Sequence, residues 1–147
     1  MSGVLVTGAS GFLGTALVKR LVDDVRYSPV ASVRRKSSSL ISGLRPILVG
    51  DLGASTDWTS ALSDVDVVIH TAARVHVMND SANDPLTEYR KVNFEGTLNL
   101  ARQAVQTGIK RFIFISRAIS ITWRNASILT SAKGAGSFSH ALESTTQ

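Results

Sequence analysis

Val4-Leu5-Val6-Thr7-Gly8-Ala9-Ser10-Gly11-Phe12-Leu13-Gly14 is the stretch whose reading decides the fold of this chain. Its first four residues read as a compact apolar strand, and the glycines that follow are spaced GxxGxxG. Leu13, Leu17, Leu21 and Val25 then recur every four residues, with Val18 and Val22 beside them, which marks one face of a helix. A strand, a glycine turn and a helix in this order suit a phosphate. Its oxygens must reach backbone N–H groups at the helix start, where the positive end of the dipole lies, and side chains there would block the approach. Gly8 allows the tight turn, Gly11 the close passage of a pyrophosphate, and Gly14 the packing of helix on strand. Three glycines alone are weak evidence. Between a strand and an amphipathic helix they point to dinucleotide binding.

The rest of the chain extends this pattern. After Pro29, Val30-Ala31-Ser32-Val33 reads as a second strand, and residues 34–45 as a polar loop with some helix. Ile47-Leu48-Val49 forms a third strand closed by Gly50-Asp51, residues 57–63 a short helix, and residues 65–70 a fourth strand. Residues 84–107 carry the clearest helix: Asp84 caps it, Pro85 takes the first helical position, and Gly108 stands just past its end. Residues 111–116 form a fifth strand. Apolar runs of this kind are buried on both faces, as in a parallel sheet covered by helices. The alternation predicts an α/β fold, a Rossmann-type doubly wound parallel sheet of about five strands, and right-handed crossovers give the order 3-2-1-4-5.

Composition narrows the function. The 147 residues, 44% hydrophobic and 18% charged, suffice for one domain with a hydrophobic core and exclude a disordered chain. No apolar run approaches the roughly 18 residues of a membrane helix, and no secretory pattern precedes Val4. Without Cys there is no disulfide scaffold, zinc thiolate or thiol nucleophile, which fits the cytoplasm. The net charge of +5, without a broad basic stripe, permits nucleic acid or a small phosphate-bearing molecule and favours neither strongly; with the glycine turn, a dinucleotide is the expected partner, and neither nucleic acid nor a membrane is.

The choice between NAD and NADP stays open at this point. An Asp or Glu at the end of the second strand would bond a ribose 2′-OH, but Ser32 and Val33 stand there, followed by Arg34 and Arg35. A guanidinium there can pair with the 2′-phosphate of NADP, or both cations are ordinary solvated loop residues. Asp51 either accepts a bond from an adenine amino group or serves as a turn residue.

Thr7–Gly14, Asp51-Leu52, His70-Thr71-Ala72-Ala73 and Asn93-Phe94-Glu95-Gly96-Thr97 occur in order at suitable intervals. Together they resemble the extended short-chain dehydrogenase/reductases, in particular the NAD-dependent epimerase/dehydratases of nucleotide sugars. Residues 70–78, 90–100 and 112–116 are most similar to UDP-sugar 4-epimerases of bacterial surface-polysaccharide pathways. The resemblance covers residues 3–116. It implies that Gly8, Ser10, Gly11, Phe12, Leu13 and Gly14 hold the pyrophosphate and that Asp51 and Leu52 flank the adenine. Ala72, Ala73 and Arg74 would lie beside the ribose and pyrophosphate, and Asn93 near the nicotinamide, unless Asn93 only ties its helix to a strand. A UDP-sugar is the substrate of full-length relatives. His70 and His76 read as packing or surface residues, and no metal site is expected.

The resemblance implies chemistry that this chain does not carry. Relatives use a Tyr general acid/base with a Lys four residues on, whose ammonium lowers the phenol pKa. The only tyrosines are Tyr27 and Tyr89, followed four residues later by Ala31 and Asn93. Lys133 has Leu129 four residues before it. The fifth strand of relatives ends in consecutive serines. Here Ser116 matches the earlier one, in reach of the cofactor, and Arg117 takes the catalytic position. Residues 117–147 depart from the family pattern, which suggests a changed reading frame or a replaced C-terminus. The chain thus divides into a dinucleotide-binding domain, residues 1–116, truncated before the substrate-binding region, and an atypical tail. Two consequences are expected. Catalysis by this chain alone is absent, and the fifth strand is an exposed apolar edge prone to self-association unless residues 118–123 cover it.

Overall fold

The computed structural model describes residues 1–35, 44–73, 84–115, 120–124 and 127–130. Its centre is one sheet of β1 (Ser2–Thr7), β2 (Tyr27–Val33), β3 (Arg45–Leu48), β4 (Val67–His70), β5 (Arg111–Ile115), β6 (Ser120–Arg124) and β7 (Ser127–Thr130). The order is β3-β2-β1-β4-β5-β6-β7. The first five strands are parallel in the expected order 3-2-1-4-5. The prolines obey the ladder. Pro46 lies on β3, which has a neighbour only on the β2 side among the described residues, and Pro29 precedes the point where β3 begins to pair with β2.

Residues of β1 alternate between two cores. Leu5 joins Val30, Val68 and Phe112 on the face covered by Trp58, Leu62, Leu100 and Ala104. Val4 and Val6 join Ala31 on the opposite face, against Val18. The helices are α1 (Phe12–Val22), α2 (Thr59–Leu62), α3 (Pro85–Arg90) and α4 (Gly96–Gln106), with a π-helical segment, Lys91–Glu95, joining the last two. Asp84 caps α3 as expected: the Thr87 amide donates to Oδ1 at 3.1 Å and the Thr87 hydroxyl to Oδ2 at 2.6 Å. Gly108 ends the helical run with a left-handed φ of 76°.

The structure corrects one expectation and decides between the alternatives of another. Leu13 and Val25 do not lie on the core face of α1; Val25 is 84% exposed, because the helix ends at Val22. Gly14 and Val18 carry the buried face, with Leu21 and Val22 packed beside them. Nor is β5 an edge. It pairs antiparallel with β6 in the register Ile113↔Thr122, and β6 pairs antiparallel with β7. Of the alternatives expected for β5, the structure shows the covered one: residues 120–124 occupy that side of the strand.

Candidate functional site

Because β1 to β5 run parallel, their C-terminal ends share one sheet edge, and the chain leaves them into the segments that carry the candidate residues. The order reverses between β1 and β4, and a crevice outside the strand ends at such a switch point is where open α/β sheets bind ligands.

The turn after β1 is closed on itself. Gly8 has φ +67°, and a Cβ there would stand 2.8 Å from the Ala72 amide nitrogen. A Cβ on Gly14 would collide with the Gly8 carbonyl, so α1 can start this close to the strand only as glycine. The Gly11 amide donates to Gly8 O at 2.9 Å, the Thr15 amide to Gly11 O at 2.9 Å, and the Thr15 hydroxyl to Ala9 O at 3.1 Å. Gly11 is the N-cap residue, no side chain caps the helix, and its first turn has no acidic residue. The amides of Phe12, Leu13 and Gly14 thus precede the first intrahelical donor. Ser10 and Gly11 are exposed, and the Phe12 side chain is 98% exposed at the mouth of the turn. An open helix start lined by exposed residues fits a pyrophosphate.

Beside this turn, Arg34 follows β2 and Asp51 follows β3. Arg34 Nη1 stands 3.9 Å from Asp51 Oδ1, with both side chains largely solvated. That is a loose pair of little energetic weight, and either group is available to a ligand. Leu52 is half-buried against α4, where a Cβ on Gly96 would stand 2.7 Å from Leu52 Cγ. The loop is pinned from below. The Thr56 hydroxyl donates to Asp51 O at 2.6 Å and accepts from the Gly53 amide at 2.9 Å. Asn99 Nδ2 donates to Gly53 O and Thr56 O, and Gln103 Nε2 to Thr56 O, at 2.8–3.1 Å. Asn99 and Gln103 escape sequence reasoning; their one signal is a pair of amides four residues apart on one helix face.

After β4, Ala72 is half-buried and Ala73 exposed. Asn93 is half-buried within the π-helical segment, a distortion frequent at functional sites. Arg74, His76 and Ser116 lie outside the described residues. His70 is fully buried. Nδ1 lies 2.5 Å from Thr7 Oγ1 and Nε2 2.8 Å from Thr97 Oγ1. Its ring stacks on Phe114 with centroids 5.4 Å apart. Burial pushes its pKa down to about 3, so it is neutral and shielded, in line with a packing role.

Across residues 4–118 the sequence matches the profile of the NAD dependent epimerase/dehydratase family. The chain belongs to this family. A UDP-glucose 4-epimerase of Vibrio cholerae is 48% identical over 116 residues, which cover 77% of this chain and 34% of that protein. A 3-beta-hydroxysteroid dehydrogenase of Mycolicibacterium neoaurum is 37% identical over 116 residues, covering 76% of this chain and 31% of that protein. Among solved structures, MoeE5 in complex with UDP-glucuronic acid and NAD is similar at TM-score 0.65 and 34% identity, over 80% of this chain and 37% of its own. UDP-glucuronic acid 4-epimerase from Bacillus cereus, in complex with UDP-glucuronic acid and NAD, is similar at TM-score 0.64 and 27% identity, over 80% and 41%. The chain spans about a third of the length of the curated relatives it matches.

Within this epimerase/dehydratase frame the two tyrosines are far from a shared role. Tyr27 opens β2 with the Arg26 guanidinium 5.4 Å from its ring centroid, and Tyr89 is a half-exposed residue of α3. Among the described residues no group of His, Asp and Glu is arranged to hold a metal ion, and no helix is long and apolar enough to cross a membrane.

Proposed function

We propose that this chain is the cofactor-binding part of a nucleotide-sugar epimerase or dehydratase and holds NAD or NADP at the C-terminal edge of the sheet. The observation that carries this reading is the uncapped start of α1, packed on β1 through glycines and lined by exposed residues. In this reading the amides of Phe12, Leu13 and Gly14 receive the pyrophosphate, with Ser10 and Gly11 beside them. Asp51 and Leu52 flank the adenine, and Arg34 meets the ribose or its 2′-phosphate. Ala72, Ala73 and Arg74 line the far side of the pyrophosphate, and Asn93 and Ser116 stand toward the nicotinamide.

Bound NAD(P) would supply a hydride acceptor at a sugar carbon. This chain's own residues bind and orient; none supplies the proton transfer. No Tyr is followed four residues later by Lys, so turnover of a UDP-sugar by this chain alone is not expected. The same feature favours a second reading, a cofactor-binding module without catalysis. Residues 1–116 form the binding unit in both, and residues 117–147 an atypical tail.

Calorimetric titration with NADH and NADPH tests the binding step. Saturable binding by the folded chain is expected, and no heat of binding would remove the reading. Incubation with UDP-glucose and cofactor tests the rest; clear epimerisation would overturn the expectation of inactivity.

A further inference from the structure

Four buried or backbone groups connect α4 to the glycine turn in one unbroken line. Thr97 on α4, His70 at the end of β4 and Thr7 at the end of β1 are each at most 1% exposed. Thr7 and His70 are partners in the parallel register. His70 Nε2 lies 2.8 Å from Thr97 Oγ1 and Nδ1 2.5 Å from Thr7 Oγ1. The Ala72 amide donates to the same Thr7 oxygen at 3.3 Å, and the Thr71 hydroxyl donates to Thr7 O at 2.6 Å. Ala72 N and Thr71 Oγ1 are in turn the atoms that a Cβ on Gly8 would meet first, each at 2.8 Å.

Thr7 Oγ1 accepts from Ala72 and bonds Nδ1, and Thr97 Oγ1 bonds Nε2; the neutral ring donates at one of its two contacts and accepts at the other. Phe114 stacked at 25° and Phe112 tilted at 53° fix the ring plane, so the imidazole cannot turn away from either hydroxyl.

We propose that His70 is a positioning residue for the cofactor site: by holding the Thr7 hydroxyl it fixes the Ala72 amide, and with it the chain after β4, against Gly8. The proposal rests on the dinucleotide reading for its effect on binding, but the positioning itself is measurable without cofactor. Two substitutions separate the ring nitrogens. His70→Asn sets a side-chain amide near the position of Nδ1, able to accept or donate, and keeps the bond to Thr7. His70→Gln reaches the position of Nε2 and keeps only the bond to Thr97.

Amide hydrogen exchange at Ala72 and NADH affinity are measured in the wild type and both variants. Exchange and Kd near wild-type values are expected for His70→Asn, and about a tenfold rise in both for His70→Gln, the worth of one well-placed hydrogen bond. Equal Ala72 protection in all three proteins would overturn the positioning role. Absence of NADH binding by the wild type, with Ala72 exchange responding as described, would overturn the dinucleotide reading and leave the positioning standing.

Discussion

The imidazole of His70 joins β4 to α4 through Thr97, with Nε2 and Oγ1 2.8 Å apart and both residues shut away from solvent. A neutral buried ring of this kind makes stability depend on pH. Burial lowers its pKa from 6.5 to about 3. Below 6.5 the unfolded chain takes up a proton that the fold excludes, so stability falls as pH drops from 6.5 toward 3, by up to about 1.4 kcal/mol per pH unit. His70→Asn has no such proton. Denaturant unfolding of the two proteins should give curves that converge as pH falls through this window. A constant difference across it would contradict the assignment.

Carboxylates act in a lower window. Asp66 accepts from Ser2 Oγ at 3.0 Å and from the Gly3 amide at 3.3 Å, and pairs with Lys110 at 2.6 Å. Lys110 first, then Ser2, hold its pKa below 3.8. Its contribution is complete above 3.8 and is lost as pH falls below that value. These bonds tie the N-terminal ends of β1 and β4, the edge opposite the candidate site. Asp66→Ala should lower the thermal midpoint and leave NADH affinity unchanged, as calorimetry and a binding titration would show.

Gly14 separates packing from glycine freedom. It lies in a helix, where alanine is ordinarily favoured, yet a Cβ would collide with the Gly8 carbonyl. Gly14→Ala should destabilise by about 2–3 kcal/mol as the helix is forced off the strand, and weaken NADH at least about tenfold. Chemical denaturation and calorimetry read the two effects. A gain in stability would mean that the turn is looser than described.

Arg34 and Asp51 face each other at 3.9 Å in solvent, too far apart and too exposed to hold each other. If the guanidinium meets a 2′-phosphate, Arg34→Ala should weaken NADPH about tenfold and change NADH by less than about twofold. Equal effects on both cofactors would identify Arg34 as an ordinary surface cation.

The strand order was legible in the sequence because it follows from apolar runs, a glycine turn and the handedness of crossovers. Asp84, Pro85 and Gly108 marked the helix ends correctly because caps act locally. Other features depend on partners distant in the chain. The break of the long helix at Lys91–Glu95 has no Pro or Gly within that segment to signal it. Leu13 and Val25 fit the periodicity, but the helix ends before Val25 and the turn leaves Leu13 partly in solvent. The line from Thr97 through His70 to Thr7 joins residues 27 and 63 positions apart, so no local pattern announces it.

The tail illustrates the same limit. Ile121 and Trp123 alternate with polar residues, as in a short strand, but nothing in that alternation sets the strand antiparallel to β5. As β6 has neighbours on both sides, a proline within it removes a ladder bond whichever way the N–H faces. Thr122→Pro should uncover β5 and shift the chain toward dimers or larger species in sedimentation velocity at a concentration where the wild type does not associate. An unchanged distribution would show that β6 does not protect β5.

The central claim is that the start of α1 receives a dinucleotide, and backbone amide shifts during a titration with NADH test it most directly. Saturable shifts concentrated at Gly8, Gly11, Phe12, Leu13 and Ala72, with Gly3 and Lys110 at the opposite sheet edge unmoved, are the predicted result. No shift at the glycine turn in the folded protein, or shifts confined to other surfaces, would contradict it.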